Sequence, residues 1–480
     1  MARSDYEVII GLEVHAELST KTKIFCGCSA EFGGAPNTHC CPVCMAMPGA
    51  LPVLNEKVVE YAVKAGLATN CSISKDSKND RKNYFYPDTP RAYQISQFDK
   101  PLCENGYVEI EDDEGNPKKV RLLRIHIEDD AGKLNHDEFG GGCLVDFNRA
   151  GVPLIESVSM PDLRSAGEAD RYLKKLKSIF EYIEVSDCKM QEGSFRADVN
   201  VSVRKKGETK LGTRTEMKNM NSFRSITRAI EYETERQIDV IENGGVVEQI
   251  SLRWDDVSGK TFPMRSKEDA EDYRYFPEPD LVAIRLSDEY VENIRKNLPE
   301  MPESRKARYM SEFGLSEKDA RLLTVSKHLS NLFEGTKDVC GNAKLSANWI
   351  LSDISRILNE KEMEPAQIPF TAEQLGKMIV LIENGTISSA IGKKVIEELF
   401  ENPDDPENIV KAKGWIQISD EGAIKKIVMQ ILEANPQSIA DFKAGKDRAL
   451  KFLLGQAMKA TKGQANPQLL NKMFLEELNK

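Results

Sequence analysis

Two pairs of closely spaced cysteines near the amino terminus constrain this chain more than any other feature of its sequence. The pairs, with twelve residues between them, are Cys26 with Cys28 and Cys41 with Cys44. Two short cysteine pairs joined by a loop are typical of a tetrahedral zinc site, and four thiolates leave no open coordination position, so that such a site is structural. The spacing therefore predicts a zinc-binding loop over residues 26–44. His39 and Cys40 are competing ligands, and reduced cysteines without a metal are the other alternative.

Length and composition favour a multidomain protein of the cytoplasm. A chain of 480 residues exceeds what one hydrophobic core holds, so we expect two to four domains. The sequence contains no apolar run of about eighteen residues that would predict a transmembrane helix, and its first residues lack the apolar segment of a secretory signal. We therefore expect no membrane association and a cytoplasmic location, where the ten cysteines should be mostly reduced.

Charge is distributed unevenly along the chain. The net charge of −11 argues against a protein that coats nucleic acid through bulk charge. Residues 441–480 nevertheless contain eight Lys/Arg and only four Asp/Glu. Such a local excess predicts a nucleic-acid contact in the tail, and the alternative is an ordinary solvated basic helix face.

Hydrophobic periodicity predicts a mixture of strands and helices in the first 295 residues and helices beyond them. Alternation predicts strands, and apolar spacing of three and four predicts helices. The predicted strands cover residues 6–16, 120–128, 143–147 and 197–204, and the predicted helices cover 54–68, 162–183 and a segment that Ser222 caps. Residues 76–98, rich in aromatic and basic side chains, have no clean period and are predicted to form an ordered loop with a binding surface, or else an irregular surface loop.

Proline-rich breaks divide the predicted elements into three domains. A linker-like stretch follows Asn297, and a second break lies at residues 402–406. The fold class is therefore predicted to be α+β, with a mixed α/β amino-terminal domain over 1–295. Two all-helical domains, 296–405 and 406–480, are predicted to follow it.

Three glutamates and one histidine lie in apolar runs and predict a second metal site. Glu13 and His15 are two residues apart in a predicted strand, so their side chains face the same side. Glu128 ends another predicted strand, and Glu156 follows an apolar turn. A carboxylate in an apolar run is costly unless it is paired or bound to a metal, and this ligand set suits Mg²⁺ or Mn²⁺. The alternative is ion pairing with an arginine, for which the candidates are Arg124, Arg149 and Arg196.

The sequence lacks the common motifs of phosphate chemistry and of acyl transfer. No Walker A motif, no kinase glycine-rich loop and no Ser-His-Asp order is present, and the run of glycines at 140–142 does not lie between a strand and a helix. Any phosphoryl transfer must therefore use a different kind of pocket.

Longer motifs run through the whole chain and carry a resemblance to one family. They are IIGLEVHAEL (9–18), the cysteine segment ending in CPVCMAMPGALPVLN (26–55), RKNYFYPDTPRAYQISQ (81–97), IHIEDDAGKL (125–134), DFNRAGVPLIE (146–156), RADVNVSVR (196–204), TEMKNMNSF (215–223), YRYFPEPDL (273–281) and FLLGQAMKATKGQANP (452–467). In these motifs the chain closely resembles the B subunits of the bacterial and archaeal amidotransferases that act on glutamyl-tRNA(Gln) and aspartyl-tRNA(Asn).

The resemblance implies a catalytic subunit of a carbon–nitrogen ligase with glutamine as the amide donor. Such a subunit uses ATP to phosphorylate the side-chain carboxylate of glutamate or aspartate esterified to tRNA(Gln) or tRNA(Asn). Ammonia, which an amidase A subunit releases from glutamine in a heterotrimer with a small C subunit, then displaces the phosphate. The implied fold is a cradle-shaped α+β domain followed by a helical domain and a tRNA-binding tail. The alternative is a non-catalytic, zinc-containing scaffold that binds tRNA.

The resemblance also implies residues for each part of the site. The catalytic metal, Mg²⁺ or Mn²⁺, is expected on Glu13, His15, Glu128 and Glu156, and a structural Zn²⁺ on Cys26, Cys28, Cys41 and Cys44. Nucleotide or terminal-adenosine contacts are expected from Lys82, Tyr84, Tyr86, Asp88 and Tyr93, because rings stack on bases. Phosphate contacts are expected from Arg149, Lys218 and Asn219. Contacts to the tRNA backbone are expected from Lys443, Lys446, Arg448, Lys451, Lys459 and Lys462. As alternatives, these side chains only pack or pair locally.

Overall fold

The structure, a computed structural model, describes residues 5–136, 142–264, 273–416, 420–443, 447–461 and 464–479. The chain divides into two compact units, Met1–Met301 and Pro302–Lys480. Strands and helices alternate in the first unit, and the described residues of the second unit form helices. The predicted α+β fold class with a helical carboxyl-terminal region is therefore confirmed. We keep the division into three domains as a prediction.

The strands all lie in the first unit, as far as the structure describes it. They are β1 (Tyr6–Glu17), β2 (Ser72–Ile73), β3 (Asp76–Ser77), β4 (Asp80–Asn83), β5 (Tyr93–Ser96), β6 (Cys103–Glu111), β7 (Pro117–Asp129), β8 (Lys133–His136), β9 (Cys143–Asp146), β10 (Pro153–Ser159), β11 (Phe195–Lys205), β12 (Thr215–Lys218), β13 (Ser251–Asp255), β14 (Lys260–Pro263), β15 (Phe276–Pro277) and β16 (Ile284–Arg285).

The described helices of the first unit are α1 (Glu56–Ala68), α2 (Ala166–Tyr182), α3 (Phe223–Glu242) and α4 (Asp288–Lys296). The α-helices of the second unit are α5 (Pro302–Phe313), α6 (Glu317–Leu323), α7 (Lys327–Cys340), α8 (Ala343–Trp349), α9 (Ser355–Glu360), α10 (Ala372–Glu383), α11 (Ser389–Glu401), α12 (Pro406–Ala412), α13 (Glu421–Ala434), α14 (Pro436–Lys443), α15 (Asp447–Ala460) and α16 (Pro467–Leu478). A π-helical turn (Ile350–Ile354) joins α8 to α9, and a 3₁₀ turn (Pro365–Gln367) precedes α10.

The described part of the main sheet has nine strands in the order β14-β13-β12-β11-β1-β10-β7-β6-β2. Neighbouring strands are antiparallel except β12 and β13, which are parallel. The alternation in β1 explains its place between β10 and β11: Val14 and Ala16 are fully buried on one face, whereas Glu13 and His15 lie on the other. The sheet therefore has one apolar face and one face that carries charge.

Helices cover the apolar face. Helix α1 packs against β6 and β7, α2 against β6 and α3, and α3 against β11 and β14. Val14 and Ala16 belong to the same hydrophobic core as buried residues of α1. Each helix begins at a capping side chain that accepts a backbone N–H: Asn55 for α1, Ser165 for α2 and Ser222 for α3. The cap predicted at Ser222 is confirmed.

The segment 76–98 differs from its prediction. It contains three short strands, β3, β4 and β5, where the sequence predicts a loop. Strand β4 pairs with β5 and with β15, and β3 pairs with β16. The partners β15 and β16 lie at 276–285, so nothing in the local sequence could indicate this pairing. Strands β8 and β9 pair as antiparallel strands, and residues 137–141 between them lie outside the described part.

The described residues of the second unit form two hydrophobic clusters. The first is built from α5 to α12 and includes Ile409 and Val410 of α12. The second is formed by α13, α15 and α16, with Ile424 and Phe474 fully buried. In the part of the chain that the structure describes, no helix is long and apolar enough to cross a membrane.

Candidate active site and metal centres

A row of four polar side chains crosses the charged face of the main sheet. The strand register pairs Arg196 of β11 with His15 of β1, His15 with Glu156 of β10, and Glu156 with His126 of β7. Residues paired directly across antiparallel strands point to the same face, so the four side chains are neighbours. Glu128 lies two residues after His126 on β7 and faces the same side. The sheet thus gathers residues from distant parts of the chain at one place.

Three of these residues form a compact cluster. The Nε2 atom of His126 lies 3.6 Å from Glu128 Oε2 and 3.6 Å from Glu156 Oε2. One ligand atom of each of the three residues lies within 4.8 Å of those of the other two. His15 is adjacent, with its Nε2 atom 3.4 Å from Glu156 Oε2. Two carboxylates and an imidazole at this separation can hold one hard divalent ion.

Burial supports this interpretation of the cluster. His126, Glu128 and Glu156 are only 2%, 3% and 7% exposed. Glu128 Oε1 accepts a hydrogen bond from Gln94 Nε2 at 2.8 Å, but among the described residues Glu128 Oε2 and His126 Nδ1 have no hydrogen-bond partner. A buried carboxylate oxygen without a partner is costly. The donor set and the unpartnered oxygen therefore fit Mg²⁺ or Mn²⁺.

The charges of the cluster stabilise one another. Although burial alone would raise the pKa of Glu156, His126 and His15 hold it well below its ordinary value. Burial would likewise raise the pKa of Glu128, but Lys82 and His126 keep it below that value. Burial lowers the pKa of His15, but the hydrogen bond to Glu156 and the charges of Glu156 and Asp198 together outweigh that effect and raise it. The two acids are thus ionised at neutral pH and ready to bind a cation.

Two of the three arginines that offered the alternative explanation bind another acid, Asp130. Arg196 Nη2 lies 2.7 Å from Asp130 Oδ2, and Arg149 Nε lies 3.6 Å from the same oxygen. Arg124 Nε is buried without a hydrogen-bond partner among the described residues. None of the described ion pairs joins these arginines to Glu128. This geometry favours a cation site over arginine pairing.

Glu13 lies on the same face but outside the cluster. It pairs with Asp198 in the register of β1 and β11, and it accepts a hydrogen bond from Asn200 Nδ2 at 3.0 Å. It lines a separate cavity of about 460 Å³. Burial, together with the charges of Glu156 and Glu216, raises its pKa. Its assignment as a metal ligand, like that of His15, stays a prediction.

His126 is a candidate ligand that sequence reasoning missed. It precedes Glu128 by two residues in a strand that the sequence does predict. The rule that placed Glu13 and His15 on one face therefore also placed His126 beside Glu128. What the sequence lacked was the register that brings Glu156 to the same point.

A cavity of about 380 Å³ opens beside the cluster. Three of the predicted contact residues line it, namely Lys82, Tyr84 and Lys218, with the predicted ligands His15 and Glu128. The remaining lining residues were not predicted as contacts: Gln94, Asp130, Leu154, Arg196, Asp198 and Tyr273.

Two lysines bring positive charge to this cavity, whose lining also includes the carboxylates of Glu128, Asp130 and Asp198. Lys82 Nζ lies 3.9 Å from Glu128 Oε2, and Lys218 Nζ lies 2.9 Å from Asp198 Oδ2. Burial would lower the pKa of Lys82, but Glu128 raises it above its ordinary value. Both lysines are therefore charged, and charged lysines suit the binding of phosphate oxygens.

The other predicted contacts lie outside the lining of this cavity, as far as the described residues define it. Tyr86 is 52% exposed. The ring of Tyr93 stacks under the Arg81 guanidinium at 4.4 Å. The backbone carbonyl of Asp88 accepts the N–H of Gly132, and Arg149 donates to two backbone carbonyls, those of Ala131 and Gly132. Asn219 has a left-handed backbone, with φ at 66°. Their roles stay predictions.

The cysteine loop forms the second candidate metal centre. The sulfurs of Cys26, Cys28, Cys41 and Cys44 lie within 4.8 Å of one another. Cys41 Sγ and Cys44 Sγ are 3.9 Å apart, close to the separation of about 3.8 Å that tetrahedral Zn–S bonds of about 2.3 Å require. Cys40 Sγ instead faces Asn148 Oδ1 at 3.8 Å. The donor set therefore fits zinc with the predicted four ligands.

The loop is fixed to the segment that leads into β10. Lys23 is fully buried, and its ammonium donates to the carbonyls of Ala150 at 2.8 Å and Phe147 at 3.2 Å. Asn148 Oδ1 accepts the backbone N–H of His39 at 2.8 Å. Since β10 carries Glu156, the segment that holds the cysteine loop leads directly into a strand of the buried cluster.

The basic tail presents exposed cations. Lys443 ends α14, whereas Arg448, Lys451 and Lys459 lie on α15, and all four are exposed. Two other predicted contacts, Lys446 and Lys462, lie outside the described residues. The predicted tRNA contacts stay predictions.

Comparisons with known proteins agree along the whole chain. Residues 8–292 match the family model described as the GatB/GatE catalytic domain, and residues 331–478 match the one described as the GatB domain. A relative from Caldicellulosiruptor bescii is 59% identical over 479 residues, which cover 99% of this chain and 100% of the relative. A relative from Clostridium tetani is 56% identical over 476 residues, covering 99% of each. Both relatives are named as the B subunit of an aspartyl/glutamyl-tRNA(Asn/Gln) amidotransferase.

Proposed function

Because this chain belongs to the family of aspartyl/glutamyl-tRNA(Asn/Gln) amidotransferase B subunits, we propose that it activates a carboxylate esterified to tRNA. The substrate is glutamate on tRNA(Gln), aspartate on tRNA(Asn), or both, and ATP is the phosphoryl donor. The observation that carries this proposal is the buried cluster of His126, Glu128 and Glu156 beside a cavity with a lysine-lined wall. A cation-binding cluster next to positive side chains is what two anionic reactants need in order to meet.

The chemistry has two steps. A carboxylate oxygen of the substrate attacks the γ-phosphorus of ATP, a new O–P bond forms, and the bond to the leaving ADP breaks. The nitrogen of ammonia then attacks the acyl carbon, inorganic phosphate leaves, and the nitrogen loses a proton to give the amide. The first step is needed because a free carboxylate has no adequate leaving group for attack by ammonia.

The positive side chains of the cavity would position the phosphates. Lys82 and Lys218 reach the cavity from β4 and β12. Lys218 is held between Asp198 at 2.9 Å and Glu216 at 3.1 Å, so its ammonium is fixed before any substrate arrives. Fixed cations lower the electrostatic cost of bringing two anions together without reorganising during the reaction. Arg196, anchored on Asp130, would contribute in the same way.

Two metal sites belong to this proposal. His126, Glu128 and Glu156 would hold Mg²⁺ or Mn²⁺, with His15 and Glu13 as the further predicted ligands. Such an ion, when bound, neutralises charge on the phosphoryl oxygens. The four cysteines would hold Zn²⁺ as a structural ion.

The partners follow from the proposed reaction. Ammonia in open solvent at neutral pH is largely protonated and then has no lone pair for the attack, so a glutaminase partner should deliver it directly. We propose that this chain works in the cytoplasm as part of a heterotrimer with an amidase A subunit and a small C subunit. The exposed cations of α14 and α15 would contact the tRNA backbone.

The test uses the assembled complex with ATP, glutamine and each misacylated tRNA. We expect ADP and amidated aminoacyl-tRNA from the wild type. In Glu128→Gln we expect phosphoryl transfer to be lost, while tRNA binding and the glutaminase activity of the amidase partner persist. A fully active Glu128→Gln complex would contradict the assignment of the site. The scaffold alternative instead predicts tRNA binding by the wild type with ADP formation independent of this chain.

A further inference from the structure

A buried arginine lies between the cysteine loop and the strand that carries Glu128. Arg91 Nη2 donates to the backbone carbonyl of Val43 at 3.3 Å, inside the turn between the last two cysteines. Arg91 Nη1 lies 2.6 Å from Asp129 Oδ2. Its guanidinium also lies 5.7 Å from the centre of the Phe25 ring, next to Cys26. The Arg91 and Asp129 side chains are only 9% and 6% exposed, so this ion pair is shielded from solvent.

Asp129 links this ion pair to the cation cluster. Its Oδ1 atom accepts the backbone N–H of Ile95 at 2.7 Å, which fixes β5. Its backbone carbonyl accepts a hydrogen bond from Gln94 Nε2 at 2.9 Å. The same amide nitrogen donates to Glu128 Oε1 at 2.8 Å. Gln94 therefore fixes Oε1 of Glu128, and its hydrogen bond to the Asp129 carbonyl in turn fixes the Gln94 amide.

Fixing one carboxylate oxygen determines where the other one points. Glu128 Oε2 has no hydrogen-bond partner among the described residues, and it faces His126 Nε2 at 3.6 Å. Residues that orient a metal ligand from behind strongly affect metal affinity. A continuous set of contacts thus joins the turn of the cysteine loop to the carboxylate of Glu128.

We propose that Arg91 is a positioning residue through which zinc in the cysteine loop raises the affinity of the buried cluster for a divalent ion. The inference rests on the proposed function, since it takes the cluster as the site of that ion. Arginine suits this position because its planar fork donates in two directions at once. A lysine has one ammonium and cannot bridge Val43 and Asp129 with the same geometry.

The test measures Mn²⁺ binding to the full-length chain by electron paramagnetic resonance, with zinc bound and after zinc removal. We expect Arg91→Lys to retain zinc and to bind Mn²⁺ about tenfold more weakly. Zinc removal should weaken Mn²⁺ binding by the wild type to a similar extent and should cause no further loss in Arg91→Lys. If zinc removal and Arg91→Lys act through the same set of contacts, their effects on Mn²⁺ affinity should be non-additive in this way.

The matched control is Arg236→Lys. Arg236 also donates two hydrogen bonds, both to the buried Glu233, at 2.7 and 2.8 Å, and it has no described contact with the cysteine loop. Its Mn²⁺ affinity should equal that of the wild type. A second variant, Gln94→Leu, cuts the connection next to Glu128 and keeps the Arg91–Asp129 pair, so it serves if Arg91→Lys does not fold. It should also lose the response to zinc.

Additive effects of zinc removal and Arg91→Lys, or an unchanged Mn²⁺ affinity in Arg91→Lys and Gln94→Leu, would overturn the proposal. Those outcomes leave the phosphoryl-transfer proposal intact, because that proposal is tested by Glu128→Gln in the assembled complex. Conversely, an intact response of Mn²⁺ binding to zinc, with no phosphoryl transfer by the wild-type complex, would reject the proposed reaction and keep the positioning of Glu128.

Discussion

The cysteine loop and the buried cluster of His126, Glu128 and Glu156 both bring ligand atoms within 4.8 Å, but they are built in opposite ways. The four cysteines come from residues 26–44, so the chain itself brings them together. The cluster comes from β7 and β10, and only the register of the sheet makes its members neighbours. One site is therefore encoded in local spacing and the other in tertiary structure.

The two sites also differ in the free energy that each costs the fold. Three of the four cysteines are half-buried, and the loop is held to its neighbours by Lys23 even without any contribution from a metal. The cluster places two carboxylates in the interior, where desolvation costs on the order of several kcal/mol for each ion. Removal of a cluster charge should therefore affect function strongly, whereas removal of a cysteine should affect chiefly the loop.

The largest expected effect comes from Glu156→Gln. Both His15 and His126 contact Glu156 Oε2, at 3.4 and 3.6 Å, so this oxygen is the centre of the cluster. Glutamine keeps the shape and removes the charge. Since residues behind a ligand already contribute about 10–100-fold in affinity, we expect loss of a ligand to weaken Mn²⁺ binding by at least about 100-fold. The measurement is Mn²⁺ titration followed by electron paramagnetic resonance.

Zinc content provides the control for Glu156→Gln, because the cysteine loop should remain fully loaded. The matched variant is Glu168→Gln, in which another buried glutamate that pairs with Lys118 at 2.7 Å is changed in the same way. It should bind Mn²⁺ normally. Equal affinities of Glu156→Gln and the wild type would show that the cluster is not the cation site.

A smaller effect on the cluster is expected when the cysteine loop is changed. In the double variant Cys28→Ser and Cys41→Ser, each cysteine pair loses one thiolate. We expect zinc content to fall from about one ion per chain to near zero, since a structural site needs all four ligands. Mn²⁺ affinity should fall only about tenfold, because the cluster keeps its own ligands.

The informative control for the loop is Cys40→Ser, which removes the cysteine that faces Asn148. Metal analysis should find it as rich in zinc as the wild type. Loss of zinc from Cys40→Ser, with zinc retained by the single variant Cys41→Ser, would shift the ligand set by one position.

The same contrast explains how much of the fold and the site could be predicted from the sequence. Strand β1, strand β11 and helices α1 to α3 have strong periodicity of their own, and their caps are local, as at Ser222. For β4 and β5 the sequence predicts a loop instead. The prediction is wrong there because β4 pairs with Phe276–Pro277, which is remote in the chain. Local pattern carries no information about such pairing.

For the candidate site, spacing within the chain indicated the cysteines, and the cost of burying acids indicated Glu128 and Glu156. His126 was missed because its partner Glu156 lies on another strand. Gln94 was missed for the same reason, since an amide has no chemical signature until its acceptor is known, and Arg196 was considered only as an ion-pair partner of the buried acids. A single sequence does not contain the register between strands, and the prediction of the site lacked that information.

An intermediate effect is expected for the clamp on the small sheet that carries Lys82. Arg81 donates to both oxygens of Glu278 at 2.7 and 2.8 Å and ties β4 to the residues after β15. Glu278→Gln should lower the free energy of unfolding by about 1.5–3 kcal/mol at neutral pH, as is usual for hydrogen bonds to charged groups. Chemical denaturation of wild type and variant measures the difference.

The pH dependence of that difference has a definite sign. Burial alone would raise the pKa of Glu278, but Arg81 holds it below its ordinary value. The stabilisation is therefore complete above the unfolded-state pKa of about 4.3 and is lost as pH falls through the folded-state pKa. A difference that grew as the pH fell would contradict this assignment of the pair.

The smallest expected effects concern the tail, where single charges act through solvent. Lys451 and Lys459 are exposed on α15, whereas Leu453 and Ala457 of the same helix are fully buried, so Lys→Gln substitutions should leave the packing unchanged. Each lysine that contacts a phosphate should contribute roughly 0.7–0.9 to the slope of log K against log salt, the range from single strands to B-DNA. We expect either substitution to flatten that slope by about this amount and to spare phosphoryl transfer to bound substrate.

Lys472→Gln on α16, 65% exposed and outside the predicted contacts, is the matched control. Titrations of tRNA at several salt concentrations that gave one slope for all three variants and the wild type would place the tRNA contact elsewhere.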